Sequence, residues 1–327
     1  MTKPLFLKGV TKDYIWGGQK LRELFGKKSD SENIAESWEL SCNKDGISTV
    51  TDSENGDMPL TEYIEKYGAE NVLGKECMKT ESVPLIKLID AKEPLSVQVH
   101  PDDDYARKKG FPNGKTEMWY VIDAEEDAKL VYGVNRKLTR EEFRQHIEDG
   151  TLEKVLNYVP VKKGDVFYIP SGTLHAIGKG ILIAEVQQNC NLTYRVYDYN
   201  RKDSEGNLRE LHIDDAVNCA HLIPTEINQP FCNMDIFEYP FGSSRILCAC
   251  DYFVTCLIKE KGKAVWSSSE ELYRHILVLE GKGTLESDGQ IYDIKKGDSI
   301  LLPPMKGDYC MKGELEYLST LSLDAEE

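Results

Sequence analysis

The chain has 327 residues, 40% of them hydrophobic and 29% charged, which is enough to bury one large or two moderate cores. Its formal net charge of −16 creates a negative field that repels polyphosphate. That excludes a general nucleic-acid or anionic-membrane surface and requires local cations for any anionic small substrate. With no signal peptide, no membrane span and nine cysteines lacking framework spacing, a cytoplasmic protein with reduced thiols is expected.

Near the start, Tyr14-Ile-Trp16-Gly-Gly18 places an aromatic where it can wall a site or simply pack in a core. A short helix is expected over Leu60 to Gly68, with Thr61 at its start and Gly68 at its end. The next informative stretch is Leu95-Ser-Val-Gln98-Val-His100-Pro-Asp102. On a strand of period two, Gln98 and His100 share one face and can share one ion. Glu117 opens a second apolar, aromatic strand, Glu-Met-Trp-Tyr-Val-Ile.

From Leu138 to Tyr158 the pattern becomes helical: Thr139-Arg-Glu-Glu142 is a capping box, and Phe143, Ile147, Leu152, Val155 and Leu156 recur at roughly helical spacing. Val161-Lys-Lys-Gly164-Asp-Val-Phe-Tyr-Ile-Pro170 then returns as Ile294-Lys-Lys-Gly297-Asp-Ser-Ile-Leu-Leu-Pro303, a turn leading into an apolar strand stopped by proline. Two related β-barrel modules follow from that repeat. His175 lies just beyond the first copy, whereas the second has no histidine there, so only the first module is expected to keep a metal.

The polar stretch 201–233 reads as the connection between modules, with a helical turn over Asp214 to Ala220. In the second module, Cys248, Cys250 and Cys256 read as small apolar strand residues and His275 as structural or solvent-facing. The acidic end, Asp324-Ala-Glu-Glu, is expected to fray. His146, His212 and His221 lack ligand spacing and receive no role.

Two imidazoles, a carboxylate and an amide oxygen suit zinc, iron, manganese or nickel, and a weak fourth ligand leaves a position open, as catalytic sites do. Two histidines and a carboxylate also describe an oxygen-using iron site, so ligand type alone leaves the chemistry open.

Several separated motifs in order decide further. With Gly114-Lys-Thr-Glu-Met-Trp119, Ile169-Pro-Ser-Gly-Thr-Leu-His-Ala176, Glu185-Val-Gln-Gln-Asn189 and Thr193-Tyr-Arg-Val-Tyr-Asp198, the chain resembles type I mannose-6-phosphate isomerases of the short bacterial kind, in the cupin superfamily. The resemblance implies a mainly β fold of two cupin-type jelly-roll barrels with a few decorating helices. Its implied layout is a metal-binding catalytic domain over 1–200, a connection over 201–233 and a metal-free cupin-like barrel over 234–327. It implies one Zn2+ per chain on Gln98, His100, Glu117 and His175, a sugar-phosphate substrate, interconversion of mannose 6-phosphate and fructose 6-phosphate, and no required protein partner.

By the same resemblance the active-site arginine matches Arg195, the acid ten residues upstream matches Glu185, and the substrate-facing lysine matches Lys115. The chain departs from long members of the family: their helical insertion is reduced here to Leu138–Tyr158, and their phosphate lysine is not evident, Arg201 standing near its place. Glu185, partly desolvated in a barrel mouth where burial can raise its pKa toward neutrality, is a candidate for the base or for orienting it, with metal-bound water or hydroxide as the competing base. Arg195 suits phosphate or a developing enediolate charge. The competing readings are an iron cupin oxygenase and a non-enzymatic sugar-phosphate-binding cupin.

Overall fold

The structure, a computed structural model, describes residues 3–51, 56–202, 206–226 and 233–323. Strands dominate it, gathered into three sheets. The mainly β, jelly-roll organisation is the one expected, although the sheets are open, packed layers rather than closed cylinders.

The first module is two facing sheets. One runs Val166–Ile169, Glu117–Ala124, Ile181–Gln187, Leu85–Ala91, Glu36–Leu40 and Val10–Lys12 in order across the sheet. The other runs Leu156–Pro160, Lys129–Val134, His175–Ala176, Val97–Val99 and Tyr194–Tyr197. Between them lies a core that takes Ile89, Trp119, Phe167 and Ile183 from the first and Leu130 and Tyr132 from the second. The far face of the six-stranded sheet is also covered, because Ile86, Leu88, Met118 and Val186 share a core with Leu247, Phe253, Leu277 and Leu318 of the second module. Burial on both faces explains why Leu85–Ala91 and Ile181–Gln187 are continuously apolar apart from a few buried polar groups, rather than alternating.

The second module is built on a ten-stranded sheet dominated by the long strands Phe253–Ser267, Arg274–Ser287 and Asp308–Ser322. Leu5–Lys8 joins this sheet by pairing with Ser299–Leu302, so the beginning of the chain completes the later module. In the opposite sense, helix Ile213–Cys219 lies inside the stretch read as a connection, yet its Ala216 and Val217 pack in the first module with Phe143 and Ile147. Residues 227–232 of that connection and the acidic end 324–327 lie outside the described residues.

The sequence repeat is also a structural one. Gly164 and Gly297 have φ of 89° and 91°, a left-handed conformation that favours glycine. In each copy an aspartate closes the turn: Asp165 accepts from the Lys162 backbone N–H at 2.9 Å and Asp298 from that of Lys295 at 2.8 Å. Each turn leads into a strand, and here the copies diverge. Ile169 lies opposite Glu117, while its counterpart Leu302 lies opposite Arg274. A cation thus occupies in the second module the position that Glu117 holds in the first.

Some local expectations need correction. The helix opened by the Thr139 capping box spans only Arg140–Glu148; Gly150, at φ 64°, stops it, Leu152–Val155 is a 3-10 turn, and Leu156–Pro160 is a strand. The earlier helix is Leu60–Tyr67, entered from Pro59 rather than started at Thr61, and closed by Gly68. Cys248 and Cys256 are strand residues, but Cys250 falls between strands. Among the described residues no helix is long and apolar enough to cross a membrane.

His275 is fully buried, with Nε2 2.8 Å from the Ser299 hydroxyl. Burial, helped by the charge of Lys27, pushes its pKa down to about 3. Because the folded-state value lies below the unfolded one near 6.5, its neutral form costs nothing above that pH, and stability is lost as pH falls from there toward the folded value. His275→Gln should therefore flatten the acid decline: relative to the variant, the wild type should lose up to about 1 kcal/mol per pH unit between pH 6.5 and 4.5. Urea unfolding across that range checks it, and parallel declines would remove His275 as a contributor.

Candidate metal centre

Two rows of side chains face one another across the first module. In the five-stranded sheet, Arg195 lies opposite Gln98 and Gln98 opposite His175. In the six-stranded sheet the row is Trp119, Glu185, Lys87 and Trp38. Glu117 stands two residues before Trp119, and the period of two sends both to the same face. His100 follows Val97–Val99 directly. The turn before His175 depends on Gly172: its φ is 84°, its N–H bonds the His100 carbonyl at 2.8 Å, and a Cβ there would sit 2.8 Å from the His221 ring.

The donors converge. His100, Glu117 and His175 offer ligand atoms within 4.8 Å of one another, all buried, and they are the cluster of that kind among the described residues. His100 Nδ1 is 2.9 Å from the Leu192 carbonyl and His175 Nδ1 is 2.8 Å from the Thr173 carbonyl. A carbonyl only accepts, so both Nδ1 atoms carry the proton and both Nε2 atoms present lone pairs. Those two Nε2 atoms lie 3.1 Å apart. Glu117 sits 3.6 Å from one and 3.4 Å from the other.

Among the described residues neither Glu117 oxygen receives a properly directed hydrogen bond, although the Lys115 ammonium is 2.8 Å from Oε2. Gln98 presents its amide 3.3 Å from His175 Nε2, and a half-turn about its last bond offers Oε1 instead. Lone pairs facing lone pairs beside a carboxylate without directed donors are a donor set that a cation satisfies.

The surrounding charges alternate in sign. Lys115 is 3.0 Å from His100 Nε2 and 4.0 Å from Glu185, which pairs with Lys87 at 3.1 Å; Lys87 in turn lies 3.8 Å from Glu36. Burial, helped by the Lys115 charge, pushes His175 down to about 4, and burial with the Lys115 charge also holds His100 well below its ordinary value. Both imidazoles are neutral, as ligands must be. Burial, with Glu185, raises Glu117 to about 7. Glu185 behaves oppositely to the expectation: burial acts to raise it, but Lys87, Lys115 and the Trp119 indole N–H at 2.8 Å outweigh burial and hold it at about 2.

Gln98, Lys115, Glu185, Lys87 and Glu36 line a cavity of about 370 Å³ together with Trp16, Ser96, Thr193, Arg195 and Arg209, and His100, Glu117 and His175 are buried beside its Gln98 and Lys115. The comparisons with known proteins agree along the chain. The model for "Phosphomannose isomerase type I, catalytic domain" matches residues 5–146, and that for "Mannose-6-phosphate isomerase, cupin domain" matches 244–321. A mannose-6-phosphate isomerase of Bacillus subtilis is 39% identical over 317 residues, covering 96% of this chain and 98% of that protein. One from Streptococcus mutans is 36% identical over 324 residues, covering 98% and 99%.

The chain belongs to the type I phosphomannose isomerase family. The crystal structure of the Bacillus subtilis mannose 6-phosphate isomerase superposes with a TM-score of 0.88 at 35% identity, covering 98% of this chain and 99% of that one.

Of the residues singled out in the sequence of this phosphomannose isomerase relative, Gln98, Lys115, Glu185 and Arg195 line the cavity, and His100, Glu117 and His175 cluster beside Gln98 and Lys115. Trp16 is buried and lines it too, its loop held close by Gly17, where a Cβ would come within 2.6 Å of Ala35. Sequence reasoning missed Lys87, Glu36 and Arg209. The signal for Lys87 was present: a lysine inside Leu-Ile-Lys-Leu-Ile-Asp-Ala, an apolar run too continuous for a half-exposed strand, needs a buried partner. His212 and His221 brace the site, His212 by accepting from the Arg195 backbone N–H at 3.2 Å and His221 through its backbone bond to the Gly172 carbonyl at 2.7 Å.

Replacing His175 with Ala removes one of the three strong donors. Metal per chain, measured by plasma spectrometry after dialysis, should fall at least about tenfold, in line with what loss of a ligand or its support costs. Retention of full metal would take His175 out of the ligand set.

Proposed function

We propose that this protein is a zinc-dependent isomerase that interconverts mannose 6-phosphate and fructose 6-phosphate through an enediolate. The observation that carries this reading is a two-imidazole, one-carboxylate donor set buried directly beside Gln98 and Lys115, which with Arg195 line one cavity. Its relatives' names supply the substrate.

His100, Glu117 and His175 would hold the metal, with Gln98 as the weaker fourth donor. Zinc supplies, when bound, a Lewis acid for the charge that develops on the sugar oxygens as a proton passes between neighbouring carbons. The remaining work falls to the chain. Lys115 carries a buried ammonium whose Nζ donates toward the same oxygens. Arg195 is the catalytic cation on the opposite sheet, where its guanidinium meets the substrate's anionic portion.

Glu185 acts through its neighbours. A carboxylate held at about 2 is a weak base at neutral pH, so its contribution is to fix Lys87 and Lys115 rather than to accept the proton. Trp16, Ile89, Leu95 and Ile177 form an apolar wall that limits water around the charged groups.

The deciding experiment is a coupled assay with mannose 6-phosphate on the purified protein before and after EDTA. Turnover should be abolished by chelation and return with Zn2+; a fully metal-loaded protein without turnover would favour a sugar-phosphate binder. Arg195→Ala should lower kcat/KM by about tenfold or more, the loss of one charge-assisted contact, while metal content stays unchanged. A parallel fall in metal would assign Arg195 to structural support instead.

A further inference from the structure

The turn that joins strands Gly242–Ala249 and Phe253–Ser267 of the second module reaches across to the first. Phe253 anchors it in the core that the modules share, and the Tyr252 carbonyl accepts from the Leu323 N–H at 2.9 Å. Held in this way, the Tyr252 hydroxyl donates to Asp103 Oδ2 at 2.8 Å. Other bonds between the modules, such as those of Ser322 to the Ser82 carbonyl and Arg245 to the Gly164 carbonyl, end on backbone that carries no candidate donor.

Asp103 is a junction. It stands three residues beyond His100, and its Oδ1 accepts from the Gly114 N–H at 2.7 Å and from the Gln188 side-chain nitrogen at 2.9 Å. A carboxylate only accepts, so the Gln188 NH2 must face Asp103 and its Oε1 must turn the other way. There Oε1 accepts from the Thr116 N–H at 2.8 Å, while the Gln188 backbone N–H donates to the Thr116 carbonyl at 3.1 Å. Thr116, buried between Lys115 and Glu117, is thereby gripped on both of its peptide groups.

The two segments that meet here fit closely. The Lys115 N–H bonds the Pro101 carbonyl at 3.0 Å, and a Cβ on Gly114 would come within 2.5 Å of the Asp102 backbone. Residues 100–103 and 114–117 therefore form one body that carries His100, Lys115 and Glu117, and Tyr252 ties that body to the second module. Asp103 is partly exposed, so without the Tyr252 hydroxyl its carboxylate would be drawn toward water, and the orientation of Gln188 would loosen with it.

We propose that Tyr252 is a positioning residue for the metal centre: through Asp103 and Gln188, the second module holds Lys115 and Glu117 in register with His100. This rests on the reading of those three residues as metal-facing and substrate-facing groups. It gives the second module, which has Arg274 at the position of Glu117, a part in the chemistry of the first.

The test is Tyr252→Phe, which removes one oxygen, beside Ser322→Ala, which removes a bond between the modules that does not lead to the donors. Zn2+ affinity is measured by competition with a chromophoric chelator, kcat and KM for mannose 6-phosphate on metal-loaded protein, and stability by thermal unfolding. Loss of the partner that orients a ligand weakens metal binding by about 10–100-fold, so a group one step further out should weaken it by about three- to tenfold. Tyr252→Phe should do this and lower kcat by a similar factor with KM within about twofold, whereas Ser322→Ala should lower the unfolding temperature alone. Asp103→Asn puts an NH2 among three donors and should cost more. Adding Tyr252→Phe to it should then change zinc affinity by less than about twofold, because the hydroxyl acts through that carboxylate.

Zinc affinity of Tyr252→Phe within about twofold of wild type would overturn the proposal, whatever happens to the unfolding temperature. Full additivity with Asp103→Asn would overturn it too, as would an equal loss of zinc affinity in Ser322→Ala, the mark of a generally loosened interface. A metal-loaded wild type that does not turn over mannose 6-phosphate would sink the proposed function instead, and the zinc affinities then decide the positioning role by themselves.

Discussion

The site depends on one constraint: five ionisable side chains are buried in or beside a sheet that is covered on both faces, and each must find its opposite. Glu36, Lys87, Glu185, Lys115 and Glu117 meet that demand by alternating in sign. Buried pairs contribute little net stability, because desolvation offsets their attraction, while removing one member leaves a charge whose cost is about 3–5 kcal/mol. A hydrophobic core would be the simpler solution for folding. The array therefore reads as a cost accepted for the electrostatics of the cavity, and the one member left in tension is Glu117, pushed up to about 7 where a bound cation would draw it back.

The second module explains how such a sheet stays in place. Its Leu247, Phe253, Leu277 and Leu318 cover the far side of the strands that carry Lys87, Glu117 and Glu185. Burying each such aliphatic or aromatic side chain is worth about 1.5–3 kcal/mol, enough for a few of them to offset a costly charge pair. The exchange of Leu5–Lys8 into the later sheet ties the two modules along the chain as well as across the interface. The two turns built on Gly164 and Gly297 keep the same frame, yet Arg274 stands where Glu117 stands in the first copy, so the two modules carry opposite charges at an equivalent strand position.

What was legible in the sequence followed from short-range rules. Period two put Gln98 and His100 together, the Gly-Asp turn and stopping proline placed His175, and the repeat announced two modules. What was hidden required knowing who faces whom. The helical spacing of Leu152, Val155 and Leu156 misled because apolar residues three apart also fit a 3-10 turn entering a strand, and Gly150 was the stop signal. Burial of Glu185 was foreseeable, but the direction of its pKa turned on Lys87, which comes from a strand nearly a hundred residues earlier. Arg209 sat in a polar stretch that resembled a linker, where an isolated arginine is ordinarily solvated.

The candidate donor set is divided between the two sheets: Gln98 and His175 belong to the five-stranded one, with His100 at its edge, and Glu117 to the six-stranded one. No local segment can therefore form the site, and its geometry is set by the core of Trp119, Phe167, Ile183, Leu130 and Tyr132 that spaces the sheets. The same core places Trp119 to donate to Glu185 and to meet the His175 ring edge-on, with centroids 5.4 Å apart. Packing and electrostatics are thus one device here, in which the side chain that sets the gap between the sheets also orients a carboxylate on one and an imidazole on the other.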